Sequence, residues 1–516
     1  MITETAIFKN IWDTNNKYLS FPYAVWFILA VSLVIRLILA AGLGAGFDEA
    51  YYHSYALRPA LSYFDHPPVV GFLAGLFTWI TGVHTAFTIR LGVVLLFTVS
   101  SLVLYRLARF TLTAEEAVAA YGVYNVTPLL FICSGVMILP DGAMAFFWTL
   151  TLIYLYRILS GEGDLKYWVL GGVFNGLTLL SKYHGVLPGF FLVLYMLIYR
   201  RKMFLTVGPY LYAFFSLIMF LPVIIWNWQN GFASFLFQGS RAVGFSLSGG
   251  DFFQGFGGQA GYLTPMIFIP MLYIMWFTFK KGIIKGNEEY RFYFFFGTLP
   301  VMFFNMISFV REILPHWTLA GYILLTVPMG RFLVSAWQKK KYARNIIKFS
   351  VWFILVVYVV GFLHIRYGIL HLEKLVQKGW MTERDFYREV TMDMYGWDQV
   401  DKYLSDNNIS SEDVFLFTRE WYLSGEVELA TQGGFIVMCF NKGGAHAYSD
   451  WDAEQDVVGK DGIFITTNRH FTDPVKHYAG VFDKISEPEI IEVKRGGVVS
   501  KLIYFYKCKN LKKRYM

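Results

Sequence analysis

Between Phe47 and Pro68 the chain reads FDEAYYHSYALRPALSYFDHPP, and four groups able to move protons or hold cations fall inside it: Asp48, Glu49, Asp65 and His66. Arg58, Tyr51, Tyr52 and Tyr63 are interspersed among them. A carboxylate such as Asp48, with Glu49 beside it, can take a proton from an acceptor hydroxyl. Asp65 and His66 are candidate ligands for a divalent cation, or contacts for a phosphate. Further along, Asp141 follows Pro140, Lys182 closes a short apolar run, Arg241 sits in a Gly- and Phe-rich stretch, and His316-Trp317 follows Pro315. Lys182, Arg241 and Arg58 can each neutralise a phosphate. Each has an ordinary alternative: Asp141 as a helix cap, Lys182 as a snorkelling side chain, and the acidic segment as a solvated loop.

These residues must be positioned by a membrane scaffold. The chain has 516 residues, 56% of them hydrophobic and only 16% charged. A soluble chain of this length carries about a quarter charged residues. Many apolar runs reach the roughly 20 residues needed to cross a bilayer. The expected architecture is a polytopic helical membrane protein of about eleven spans (range 11–13), followed by a soluble α/β domain. The expected spans cover 22–43, 86–107, 117–134, 142–159, 167–181, a segment ending at 199, 203–226, 261–279, 290–310, 317–337 and 349–365. The run Pro67–Thr81 is short for a span and reads as an interfacial or re-entrant helix. Arg36 lies in the first apolar run and no small-residue cleavage site follows, so that run reads as an uncleaved span.

The net charge of +8 does not call for nucleic acid. Basic residues cluster at 106–109, 157–166, 200–202, 280–291 and 339–348, all on one side of the expected topology. That side is cytoplasmic by the positive-inside rule. Asp48, Asp65, His66, Asp141, Lys182, Arg241 and His316 then share the opposite face. The expected domains are 1–365, membrane-embedded and catalytic with a first extracytoplasmic loop over 44–85, and 366–516, extracytoplasmic and soluble. In the latter, Val414–Phe417, Phe435–Phe440 and Gly462–Thr466 read as strands, Trp421–Thr431 as a helix, and 489–493 with 498–506 as a hairpin across Gly496-Gly497. Cys439 and Cys508 lie in this domain, either paired or as two buried thiols.

The two-part first segment, FDEAYY followed by YFDHPP, resembles the signature of the polyprenyl-phosphate-dependent glycosyltransferases of the GT-C fold. The nearest branch is the bacterial one related to protein mannosyltransferases and to the aminoarabinose transferase that modifies lipid A. The likeness continues through Leu139-Pro140-Asp141, Leu180-Ser181-Lys182-Tyr183, Trp226-Asn227, Phe237-Gln238-Gly239-Ser240-Arg241 and Pro315-His316-Trp317. The resemblance implies Asp48 as the catalytic carboxylate and Asp141 as the second acidic position. Lys182, Arg241 and Arg58 become donor-phosphate partners, and His316, Trp317, Tyr52 and Tyr63 line the substrate cavity. Asp65-His66 stands where the aminoarabinose transferase has Glu-Lys, which leaves His66 as a departure and Asp65 as a candidate metal ligand.

The implied reaction moves a sugar from a polyprenyl-phosphate donor to an envelope acceptor, lipid A or lipopolysaccharide first, by one inverting displacement. It requires no cofactor, with a divalent metal left open, and no obligate protein partner. The implied location is the bacterial inner membrane, with the site on the extracytoplasmic face. A protein O-mannosyltransferase-like enzyme or another envelope glycan transferase is the neighbouring alternative. A lipid-linked sugar flippase is the rival of another class; it calls for ionisable groups deep in broken spans, whereas here they gather at one face.

Overall fold

Apolar helices dominate the chain up to Tyr367 in the computed structural model, which describes residues 21–240, 249–513 and 515. Seven of the described helices are long and apolar enough to cross a bilayer: Tyr23–Gly42, Ala86–Ala108, Pro140–Leu159, Gly208–Gln229, Pro265–Ile284, Pro315–Lys339 and Lys341–Tyr367. At 1.5 Å per residue they run about 30–40 Å, the thickness of the hydrocarbon core or more.

The four remaining expected spans are shorter or interrupted, for local reasons. Ala114–Val126 stops at Thr127 and Pro128–Cys133 begins anew. Pro128 has no N–H to donate and drives Thr127 into extended backbone (φ −67, ψ 118). Leu165–Ser181 has 17 residues and Val186–Tyr199 has 14. The segment from Glu288 to Ile307 carries a π-helical turn over Phe294–Thr298 just before Pro300. A wide turn there relieves the clash of the proline ring with the preceding carbonyls.

The acidic segment expected as a loop holds the helix Phe47–Leu57. Gly46 precedes it in extended backbone, and its N–H is accepted by Glu49 Oε2 at 3.0 Å. Asp48 and Glu49 lie in the first turn, where the helix dipole favours negative charge. Pro59 ends the helix by forcing Arg58 out of helical backbone. Next comes Val69–Thr81, 13 residues or about 20 Å, too short to span. The stretch 227–260, which falls between the expected spans 203–226 and 261–279 and so reads as a loop, contains the helix Ala233–Ser240 and most of the helix Gly249–Leu263.

The chain folds into two compact units that do not follow chain order. One holds residues up to 37 together with 93–355; the other joins 38–92 to 356–516. The second unit holds a six-stranded sheet of β1 (Val414–Thr418), β2 (Val437–Cys439), β3 (Asp461–Thr467), β4 (Phe482–Ile485), β5 (Glu489–Arg495) and β6 (Val498–Leu511). Its order is β2-β1-β3-β6-β4, with β5 also paired to β6. β1 pairs parallel with β2 and β3, and β3 pairs antiparallel with β6. The other edge of β6 takes β5 and then β4. Both faces are covered. Leu416, Ile463, Ile503 and Phe505 pack on one side, Phe415, Phe417, Phe464 and Tyr506 on the other, as the two-residue period requires. Gly496 and Gly497, with φ of 61° and 84°, form the β5–β6 turn that an L side chain would strain. Cys133, Cys439 and Cys508 are buried and none is in a disulfide, so the C-terminal pair is not bridged.

The helix Trp421–Ala430 crosses the first-segment helix Phe47–Leu57 at Gly425. A Cβ at 425 would lie 2.8 Å from the Tyr51 backbone nitrogen and 3.0 Å from the Ala50 carbonyl carbon. Backbone cannot yield as a flexible side-chain end does, so Gly425→Ala is expected to cost about 1–3 kcal/mol by overpacking. A thermal melt of the purified variant checks this; an unchanged midpoint would mean that the two helices are not in this contact.

Candidate active site

Two polar clusters contain most of the expected site residues, one in each unit. In the second unit, Glu49 and Arg90 form a bidentate pair, Nε–Oε1 2.7 Å and Nη2–Oε2 2.5 Å. Both side chains have zero exposure. Arg90 also donates to the carbonyls of Ala40 (3.2 Å), Leu43 (2.8 Å) and Gly44 (2.7 Å). These are the carbonyls freed where the helix Tyr23–Gly42 ends. Glu49 was expected to share the catalytic work with Asp48, but its oxygens are committed to Arg90 and Gly46 and it has no access to a substrate. Asp48, one residue and about 100° round the helix, is exposed. Of the two, Asp48 is the carboxylate that a substrate can reach.

Asp65 is 8% exposed and anchored on both oxygens. Oδ2 accepts from the Tyr51 hydroxyl at 2.5 Å and the Tyr55 hydroxyl at 3.4 Å; Oδ1 accepts from His446 Nδ1 at 2.6 Å. Burial alone would raise its pKa, but the His446 and Tyr51 hydrogen bonds outweigh it and hold the carboxyl below its ordinary 3.8. The Tyr51 hydroxyl in turn accepts from the Ala447 N–H at 3.0 Å. His66 is half-buried, with its ring 5.7 Å from that of Tyr52. Tyr52 is buried between Tyr51 and Tyr55.

Tyr63 stacks on Tyr55 at 3.8 Å. Its hydroxyl is bonded with the Ala60 N–H and the carbonyls of Tyr55 and Arg58, so it staples the turn after the helix. Arg58 was expected at a donor phosphate. Its guanidinium is instead forked onto Glu428 (2.6 and 3.1 Å) over the face of Trp451. Arg58 holds the Glu428 carboxyl below its usual range despite complete burial. The Tyr448 hydroxyl lies 3.1 Å from Glu428 and 2.8 Å from Ser54.

In the first unit, Asp141 and Lys182 form a buried pair, the ammonium lying 2.8 Å from both carboxylate oxygens. Pro140 opens the helix Pro140–Leu159 and sets Asp141 in its first turn. Lys182 is the extended residue that follows the helix Leu165–Ser181 (φ −159, ψ 141). Asp141 is 1% and Lys182 4% exposed, so neither a plain helix cap nor a snorkelling lysine describes them. His316, in the short 3₁₀ turn Pro315–Thr318, lies within electrostatic reach of both charges. The Trp317 ring lies 5.6 Å from His184 and 6.0 Å from Phe304. Arg241 lies outside the described residues. Among the described residues, no three His, Cys, Asp or Glu side chains converge as a metal site.

The comparisons with known proteins bear on this arrangement. A family model described as dolichyl-phosphate-mannose-protein mannosyltransferase matches residues 65–226. The solved structure of ArnT from Cupriavidus metallidurans in the apo state superposes with a TM-score of 0.60 at 16% identity, over 93% of this chain and 97% of ArnT. The same protein bound to undecaprenyl phosphate gives 0.61 at 15% identity over the same shares. This chain has the GT-C fold, of the ArnT kind. The GT-C core and the sheet-bearing C-terminal region are both covered by that likeness. A curated relative, the lipid A galacturonosyltransferase RgtD of Rhizobium johnstonii, is 23% identical over 302 residues. That match takes in 57% of this chain and 61% of RgtD, so the chain spans less than two thirds of this relative.

Sequence reasoning missed Arg90, His446, Glu428 and Tyr448. Arg90 had a signal, a cation inside an apolar run, which calls for a partner. The other three lie 370–394 residues from the first-segment groups they bind, and nothing local marks them.

Asp65 gives a pH test. Its folded pKa is lowered, so its carboxylate contributes stability that is present above pH 3.8 and lost as pH falls through the folded value. Wild type should exceed Asp65→Asn in thermal midpoint at pH 7, and the gap should close on acidification below pH 3.8. A gap that stays constant with pH would show that the ionised form has no such role.

Proposed function

We propose that this GT-C protein transfers a sugar from a polyprenyl-phosphate donor to an envelope acceptor, with lipid A or lipopolysaccharide as first choice. The observation that carries the proposal is Asp48, an exposed carboxylate at the start of a helix whose neighbouring acid, Glu49, is locked away on Arg90. Two comparisons support the substrate classes: RgtD is named for galacturonosyl transfer to lipid A, and ArnT was solved with undecaprenyl phosphate. The protein is a multi-pass membrane protein. In this reading it sits in a bacterial inner membrane with Asp48 on the extracytoplasmic face, an orientation that the basic clusters support through the positive-inside rule.

In this reading Asp48 accepts the proton of an acceptor hydroxyl. The hydroxyl oxygen attacks the anomeric carbon, the bond from that carbon to the phosphate oxygen breaks, and the phosphate leaves with the electron pair. A single displacement inverts the anomeric centre. Lys182, Arg241 and His316 stay the candidates for stabilising a leaving phosphate by charge. Lys182 is held on Asp141 just as Arg58 is held on Glu428, so either cation would have to exchange its carboxylate for the phosphate to act there. Asp65 and His66 are assigned to holding the first segment, with no metal step. The mannosyltransferase family match favours a second reading of the acceptor, a protein Ser/Thr hydroxyl, with the same chemistry.

The test is transfer from membrane-extracted polyprenyl-phosphate sugars, read by mass spectrometry with wild type and Asp48→Asn compared. A sugar-sized mass gain on lipid A is expected with wild type, falling about 10²–10⁴-fold in a folded Asp48→Asn protein. A gain on protein instead would select the second reading. Undiminished transfer by Asp48→Asn would remove the base, and absence of transfer with a verified donor would turn attention to a flippase.

A further inference from the structure

Away from both clusters, the first unit contains a groove of about 620 Å³ between the helices Pro265–Phe279, Leu319–Lys339 and the start of Lys341–Tyr367. Its depth is apolar, with Val126, Ile267, Pro270, Ile274, Val351 and Ile354 in the lining. One end is different: Arg331, Lys339, Lys340 and Tyr342 lie there. Arg331 is already paired with Glu289 (2.9 Å) and Glu116 (3.6 Å). Lys339 and Lys340 are exposed. From Tyr342 to Ile354 the lining helix rises about 18 Å, close to the roughly 15 Å of one hydrocarbon leaflet.

Only 6% of the most apolar window of Lys341–Tyr367 is buried, so this helix faces hydrocarbon and the groove opens beside it. A leaflet-deep apolar slot with two cations at its mouth matches one kind of occupant, an acyl-chain lipid with a negatively charged headgroup. A neutral lipid would fill the slot but ignore the lysines.

We propose that this groove is a binding site for an anionic glycerophospholipid, its acyl chain between the helices and its phosphate at Lys339 and Lys340. The site is independent of the transfer chemistry. It lies at a basic cluster, the end that the positive-inside rule assigns to the cytoplasm.

Native mass spectrometry of the whole purified protein, offered phosphatidylglycerol or phosphatidylethanolamine, tests it. Wild type should retain phosphatidylglycerol about tenfold over phosphatidylethanolamine. Lys339→Ala with Lys340→Ala should bring the two to parity. Ile347→Trp, which fills the slot from a lining position, should lower retention of both. A thermal melt of each variant confirms that the fold is kept. Equal retention of the two lipids by wild type would overturn the proposal, as would phosphatidylglycerol binding indifferent to all these changes. Polyprenyl phosphate displacing phosphatidylglycerol, with the same variants abolishing it, would also overturn it and make the groove a donor site.

Discussion

The Glu49–Arg90 ion pair is the constraint on which the first segment depends. Removing two full charges from water costs several kcal/mol each, and only excellent geometry compensates. Here the geometry is complete. The guanidinium makes two bonds to the carboxylate and three to backbone carbonyls, and the carboxylate also takes the Gly46 N–H. One side chain thus joins three pieces of chain: the end of the helix Tyr23–Gly42, the start of Phe47–Leu57, and Ala86–Ala108, on which Arg90 stands. Hydrophobic packing is tolerant of small rotations, but a forked, fully satisfied ion pair is not. The pair fixes the azimuth of the first helical turn, and with it the direction in which Asp48 faces.

The C-terminal region secures the other end of the same helix. Arg58 on Glu428, Ser54 and Tyr51 against Tyr448 and Ala447, and Asp65 on His446 are all contacts between 47–66 and 428–448. Gly425 lets the backbones approach closely enough for these bonds to form. In physical terms the sheet-bearing C-terminal region is a clamp on the segment 47–66. The buried aromatics Tyr51, Tyr55 and Tyr63 pack this clamp, among them Tyr63, which with Tyr52 was expected to line a substrate cavity. This explains why a segment so rich in titratable groups leaves so few of them reachable. Glu49, Arg58 and Asp65 are held in ion pairs within the second unit, and Asp48 is exposed to solvent.

Much of this was legible in the sequence. The long apolar runs, the strands expected at 414–417 and 462–466 and the Gly-Gly hairpin follow from periodicity and turn chemistry, and FDEAYY with YFDHPP carries the family resemblance. What was not legible has identifiable causes. The helix Phe47–Leu57 was hidden because polar residues near a bilayer read as loop, although Gly46, the acidic first turn and Pro59 are all helix punctuation. The break at Thr127 and the π turn before Pro300 were signalled by proline but masked by continuous hydrophobicity. Strand β4 is only four residues long and half-exposed, so it carries little pattern. The Asp141–Lys182 partnership joins residues 41 positions apart, and the bonds to His446 and Glu428 span far more. Ion pairs of that kind are set by topology, which no local pattern encodes.

The central claim is that the Glu49–Arg90 fork aims Asp48 at the acceptor. Arg90→Lys tests it most directly, because lysine keeps the charge and loses the fork. The account predicts a folded protein, verified by its thermal melt, whose kcat for sugar transfer falls at least about tenfold while KM for the donor changes little, as expected when only orientation is lost. A folded Arg90→Lys protein with wild-type kcat would contradict it.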